Sequence, residues 1–265
     1  MTDKWFRKDL LRGKTTVITG GAGLIGRELV NGFAQVGSNV VIADINQNQG
    51  KAIENELKLT YHDKVVFRKF NIASKKSINS LIDAAISKFG GVDVWVNCAY
   101  PRTADWGAGF ENISQRSLNK NIEMHLNGYF LCCQAISKHM KEKKTGSIIN
   151  FGSIYGLVAP RISMYDNTKI RFAAPYPMIK GGIIQLTKYL AVVEARNGVR
   201  VNAICPGGVF DRQDPKFVKK YSENTPMGRM AKVKEIVGPT IFLASDAASY
   251  ITGHILIVDG GWTVW

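Results

Sequence analysis

The chain repeats one two-part unit almost from end to end, a short apolar run followed by an amphipathic stretch with helical spacing. "TTVITGG", "NVVIADI", "VVFRKFNI", "VDVWVNCA", "GSIINFGS", "VRVNAICPG" and "HILIVDGG" are the apolar runs, seven in all. Between them lie stretches such as "LIGRELVNGFAQVG", which stops at Gly37, and "KKSINSLIDAAISKFG", for which Ser74 is a fitting N-cap. Strands that alternate with helical crossovers must run parallel, and a parallel sheet has to be covered on both faces. The expected fold is therefore α/β, a doubly wound parallel seven-stranded sheet with helices on both faces. No linker or low-complexity break divides the 265 residues, so a single domain over 1–265 is expected.

No apolar stretch approaches the roughly 18 residues of a membrane span. The N-terminus "MTDKWFRKDLLRGKTTVITGG" runs charged into the first strand, unlike a secretory signal. Cys98, Cys132, Cys133 and Cys205 show neither CxxC spacing nor a nearby histidine cluster. They read as reduced thiols of a cytoplasmic protein with no metal site. The 35 basic against 21 acidic residues give a formal +14, but the lysines are scattered. That balance reads first as a solvated basic surface and next as attraction for an anionic small substrate. Nucleic-acid binding has no recognisable module to carry it.

The first strand joins the first helix through "ITGGAGLIGRE". Thr19, Gly20, Gly21, Gly23 and Gly26 leave room for a pyrophosphate to approach the backbone, and the following helix aims its positive end at it. "VVIADI" then supplies Asp44 at the end of the second strand, close to the interval of about 20 residues expected for an acid that grips a ribose diol. A carboxylate there repels a 2′-phosphate, so NAD is expected over NADP. The competing reading of Asp44 is a cap or turn residue.

These motifs resemble the short-chain dehydrogenase/reductase family, and the resemblance covers essentially the whole chain. "NCAY" falls where the family has Asn-Asn-Ala-Gly, "INFGSI" places the family's catalytic serine at Ser153, and the last two strands are similar as well. The resemblance implies a Rossmann-type fold. It also implies cofactor contacts at Leu24, Ile25, Ile45, Asn71, Ile72, Asn97, Ala99, Pro206, Gly207 and Val209, besides the glycine turn and Asp44.

Two Tyr–Lys pairs compete for the acid/base role, Tyr165 with Lys169 and Tyr176 with Lys180. The interval from Ser153 favours the first. The sequence after Tyr176 favours the second, since it overlays the family pattern into "VRVN" without a gap. Ile179, Ile183, Leu186, Leu190 and Val193 mark a buried stripe, and Gly198 ends the helix. A helix running on from Tyr165 would meet Pro175 and Pro177, whereas Pro177 is harmless at a helix start. Tyr176 and Lys180 are thus expected to work, with residues 156–175 an enlarged loop. Lys180 and an oxidised nicotinamide ring should both lower the phenol from its ordinary value near 10. The resemblance implies that Ser153 holds the substrate oxygen and that Tyr176 and Lys180 also touch the cofactor.

The pattern is broken twice. "NCAYPRT" puts Tyr100 and Pro101 where the family has a glycine turn, and "MHLNGYF" puts His125 where the family has an asparagine whose carbonyl holds a relay water. His125 keeps that carbonyl and is a candidate catalytic residue; plain helix packing is the equal alternative. The combination resembles a bacterial subgroup associated with flagellin modification and surface-sugar biosynthesis, which implies a sugar or sugar phosphate substrate. Arg102, Arg161 and Arg171 suit an anion; Lys216, Lys219 and Lys220 in the substrate lid at 208–232 either meet an anion or equally only solvate a mobile loop. The expected activity is NAD-dependent interconversion of a secondary alcohol and a ketone. A second reading, an NAD-binding sensor or scaffold without turnover, rests on His125 and the altered turn. The resemblance also implies a homo-oligomer, dimer or tetramer, for which "GYFLCCQAI" and "GGIIQLTKYLAVV" offer apolar faces.

Overall fold

The computed structural model describes residues 9–265, so the first eight residues of the charged N-terminal segment lie outside the described residues. The strands are β1 (Thr15–Thr19), β2 (Asn39–Asp44), β3 (Val65–Lys69), β4 (Val94–Asn97), β5 (Gly146–Phe151), β6 (Val199–Pro206) and β7 (Ile255–Val258). They form one sheet in the order β3-β2-β1-β4-β5-β6-β7, with every pairing parallel. The fold is the expected doubly wound, Rossmann-type α/β arrangement, and its strand order reverses between β1 and β4. In such sheets a crevice opens beyond the carboxyl ends of the strands at that switch point.

Period-two alternation assigns each strand residue to one of two cores. Val17, Val41 and Trp95 face α3 (Lys75–Phe89), α5 (Gly128–Lys143) and α6 (Pro175–Glu194). Ile18, Ile42 and Val96 face α1 (Leu24–Gln35), α2 (Gln47–Tyr61) and α8 (Val237–Ala244). Helix side chains such as Tyr129, Ile136 and Met140 on one side, and Leu29 and Phe33 on the other, are wholly buried. Burial of one such side chain contributes about 1.5–3 kcal/mol, which is why a two-faced sheet holds.

Local signals end the helices as their chemistry requires. Ser74 Oγ accepts from Ser77 N at 3.3 Å to cap α3. Gly37 follows α1 with φ +90. At α6 the structure differs slightly from expectation. The helix opens at Pro175, and a 3₁₀ turn over Ala195–Asn197 precedes the left-handed Gly198. Of the expected apolar stripe, Val193 is 42% exposed, because at that point the face has rotated off the sheet. The segment between β4 and β5 holds an element absent from the sequence reading. There α4 (Gln115–Ile122) runs through a π turn, Glu123–Asn127, into α5.

The enlarged loop and the lid pack on each other. Lid residues 208–232 contain α7 (Pro215–Glu223), and a bridge between Val209 and Ala231 pins the ends of the lid together. Phe217 and Tyr221 from α7 meet Met164, Tyr165 and Phe172 from the loop in one apolar cluster that also takes in Trp262.

Candidate active site

Beyond the carboxyl ends of the strands lies a cavity of about 750 Å³ that runs from the glycine turn to the lid. At one end stand Gly20, Gly23, Leu24, Ile25 and Gly26. Gly20 has φ +68, and a Cβ there would stand 2.6 Å from Ala99 Cα, so only glycine fits. Helix α1 begins at Gly23 with no side-chain cap and no acidic residue in its first turn. Its free N–H groups therefore meet the cavity, an arrangement that suits a diphosphate. Asp44 lines the same end; its two carboxylate oxygens accept from Ala22 N at 3.0 Å and Asn46 N at 2.9 Å. The turn reading of Asp44 and the ribose reading are thus compatible, since each oxygen keeps a lone pair. Arg27 is drawn away into an ion pair with Glu56 at 2.7 Å.

Ile45, Asn71, Ile72, Ala99, Pro206, Gly207 and Val209 also line the cavity. Ile45 and Leu24 are exposed apolar side chains there, 66% and 45% accessible, as a surface awaiting a flat ring would be. Thr19 and Asn97 do not line it. Both are wholly buried behind the wall, where Thr19 Oγ1 accepts from Cys98 N and Ala99 N and Asn97 Nδ2 donates to Asn150 Oδ1 at 2.9 Å. Their placement is that of supports for the β4 turn.

At the middle of the cavity Ser153, Tyr176 and Lys180 share one wall. Ser153 follows β5, and its Oγ accepts from Tyr155 N at 3.2 Å while also engaging the Tyr176 phenol. Tyr176 and Lys180 stand one turn apart on α6. Lys180 Nζ lies 5.8 Å from the Tyr176 ring centre and donates to Phe151 O at 2.7 Å. Tyr165 lines the cavity too, but its hydroxyl donates to Tyr155 at 3.5 Å, within the aromatic cluster under the lid. No helix links it to Lys169, which is exposed and gives its backbone N–H to Asp214 Oδ2.

Acidity departs from expectation at the tyrosine. Burial pushes the Tyr176 phenol up to about 12, with the Ser153 hydrogen bond pulling the other way. Burial also pulls Lys180 down to about 8. The protein's own residues therefore do not make this phenol acidic, because desolvation outweighs the Ser153 hydrogen bond. The Cys98 thiol on the same wall is pushed up by burial to about 12, which keeps it protonated and poorly nucleophilic.

The second departure, Tyr100, lies at the centre of an aromatic group. Its ring meets Trp106 at 5.5 Å, His125 at 5.4 Å and Tyr176 at 5.8 Å, all edge-to-face. His125 is wholly buried and does not line the cavity, but its Nε2 is 3.4 Å from Lys180 Nζ. Of the arginines expected near an anion, Arg102 and Arg171 line the cavity and Arg161 does not. Arg161 donates to Asn224 Oδ1 and stacks over Trp262. The lid lysines are likewise spent elsewhere. Lys220 donates to Ser163 O and Asp166 O of the loop, Lys219 pairs with Glu223, and none of the three lines the cavity. Trp106, Phe172, Tyr155 and Tyr221 line it without having been singled out in the sequence. Trp106 and Phe172 lie outside regular elements, Tyr155 in a 3₁₀ turn and Tyr221 on the short helix α7, so no shared period marks them in the sequence. Among the described residues, no group of His, Cys, Asp and Glu is gathered as a metal would need.

A family model described as enoyl-(acyl carrier protein) reductase matches residues 21–263. A post-translational flagellin modification protein A of Campylobacter coli is 33% identical, over 96% of this chain and 99% of that protein. The structure is similar to a gluconate 5-dehydrogenase of Burkholderia cenocepacia in complex with NADP and tartrate. That match has a TM-score of 0.85 at 28% identity and covers 97% of this chain and 98% of the other. It is similar also to a short chain dehydrogenase of Leptospira borgpetersenii with bound NAD+, with a TM-score of 0.84 at 34% identity and 97% and 95% of the two chains covered.

Proposed function

The chain belongs to the short-chain dehydrogenase/reductase family, and from that we propose that it is an NAD-dependent dehydrogenase of a polar, anionic, sugar-like substrate. That it is an oxidoreductase using a nicotinamide cofactor follows from the family itself. The observation that carries the finer reading is the single cavity, with the glycine turn and Asp44 at one end and Ser153, Tyr176 and Lys180 facing its middle.

The glycine turn, the uncapped start of α1 and Asp44 would hold the diphosphate and the adenosine ribose. When bound, the nicotinamide supplies the hydride acceptor or donor. Ser153 holds the substrate oxygen by hydrogen bonding, and Tyr176 exchanges the hydroxyl proton with that oxygen. The Ser153 hydrogen bond offsets part of the desolvation that pushes Tyr176 up to about 12, and Lys180 Nζ stands 5.8 Å from the ring centre. Asp44 favours NAD, because its carboxylate repels a 2′-phosphate and Arg27, just after the turn, is paired with Glu56.

Arg102 and Arg171 support an anionic substrate. Both line the substrate end, and neither meets a carboxylate among the described residues. The aromatic rings of Tyr100, Trp106 and Phe172 offer C–H faces of a sugar a stacking surface. The names of the similar proteins, a flagellin modification protein and a gluconate dehydrogenase, favour the same class. We read residues 1–265 as one domain and the protein as a cytoplasmic homo-oligomer. No described helix is long and apolar enough to cross a membrane.

The test is reduced-cofactor formation with a set of neutral sugars, sugar acids and sugar phosphates. Turnover restricted to the anionic members, with NADH bound more tightly than NADPH, is the expected result. Tighter NADPH overturns the Asp44 reading. A complete lack of turnover with cofactor bound favours the scaffold reading, which the substitution at His125 motivates.

A further inference from the structure

His125 sits at the middle of the π turn Glu123–Asn127, between α4 and α5. The wider i→i+5 turn is a local departure from α geometry of the kind found at functional positions. Here it brings an imidazole against the one buried lysine of the cavity wall. His125 Nε2 lies 3.4 Å from Lys180 Nζ, and both side chains are at most 4% exposed. Lys180 Nζ also donates to Phe151 O at 2.7 Å. An ammonium has three N–H bonds and no acceptor. We propose that His125 is the positioning residue of Lys180: as a neutral imidazole it accepts one N–H through Nε2, and with the Phe151 carbonyl it fixes the ammonium so that the third N–H faces the cavity.

Two further observations bear on the contact. The residues at which the chain departs from its family pattern, Tyr100 and His125, touch each other, with ring centres 5.4 Å apart. The Tyr100 ring, 42% exposed at the cavity, also lies 5.8 Å from Lys180 Nζ. Acceptance through Nε2 places the ring proton on Nδ1, the atom that has no hydrogen-bond partner among the described residues, while the Tyr100 and Tyr129 ring centres lie 5.4 Å and 5.2 Å from the imidazole. The other titratable groups facing the pair are Tyr176 on α6, Tyr129 on α5, Cys98 after β4 and Cys205 on β6. Burial first, and then the lysine charge, hold His125 well below its usual range, so it is neutral at pH 7, where Lys180 still carries its proton. The contact lasts until Lys180 deprotonates, near pH 8.

The inference rests on the dehydrogenase reading for its kinetic test but not for its spectroscopic one. In the full chain, ¹⁵N-histidine spectra contain four imidazoles, and H125Q identifies the one of interest. The expected spectrum at pH 7 has His125 unprotonated at Nε2, with a shift of that nitrogen in K180M. In turnover, H125L removes an acceptor and disfavours the ammonium, so the basic limb of the pH–rate profile moves down by about one unit and kcat falls about tenfold. Gln places an amide where Nε2 stood, so H125Q restores both to within about threefold. A proton on Nε2 at pH 7 overturns the proposal. So does an H125L profile with an unmoved basic limb. If no substrate is turned over, the imidazole spectrum decides the matter alone.

Discussion

At the residue scale, burial works against both partners of the acid/base pair. It raises the Tyr176 phenol to about 12 and lowers Lys180 to about 8, so each is held towards its neutral form. In the proposed reading, the positive ring of an oxidised nicotinamide would supply charge that favours the phenolate. Lys180 also ties stability to pH. Its folded value lies below the unfolded value of 10.5, so the unfolded chain binds more protons between about 8 and 10.5. Below that window the buried ammonium costs its full penalty; across it the penalty is relieved and stability rises with pH. The expected outcome is that the difference in unfolding free energy between K180M and the wild type shifts in favour of the wild type from pH 8 to pH 10, by up to about 3 kcal/mol. Urea melts at the two pH values measure it, and a constant difference would mean that Lys180 is not desolvated as the structure has it.

At the element scale, the loop at 156–175 and the lid act as one cover. Lys220 ties them by donating to Ser163 O at 3.0 Å and Asp166 O at 2.8 Å. Removal of those bonds in K220M should raise the substrate KM by roughly threefold to tenfold and leave the cofactor Kd unchanged. An equal loss of cofactor affinity would show that the lid is not a substrate element. The lysine's role also shows what a sequence conceals. Strands β1 and β2 could be read because a short continuous apolar run is local, and the Ser74 cap and Gly198 could be read because each acts within one turn. The same holds for the glycine turn, whose spacing is set by its own backbone. The partners of Lys220 and Arg161 could not be read, because they lie more than 50 residues away and a surface charge carries no pattern that selects a distant partner. The π turn could not be read either, since one widened turn leaves no periodic mark, and it is what brings His125 to Lys180. Pro175 and Pro177 did separate Tyr176 from Tyr165, because a proline's limits hold in any fold.

At the scale of the whole molecule, α5 and α6 leave apolar side chains in solvent. Phe130 is 43% exposed, Tyr189 58% and Val192 81%. A second copy of the chain is the proposed cover, and the double variant Y189E/V192E is expected to sediment as a monomer where the wild type sediments as a dimer or tetramer. A monomeric wild type would contradict that part of the account. In the proposed reading, the sheet, its two cores and the crevice at the switch point hold one phenol beside one serine at the end of a cofactor cradle. The most direct test of that claim compares steady-state turnover of Y176F and Y165F on the best anionic sugar substrate, with cofactor binding measured in each. The account predicts that Y176F binds NADH normally and loses at least about a hundredfold in kcat, while Y165F keeps most of it. An active Y176F beside an inactive Y165F would contradict it.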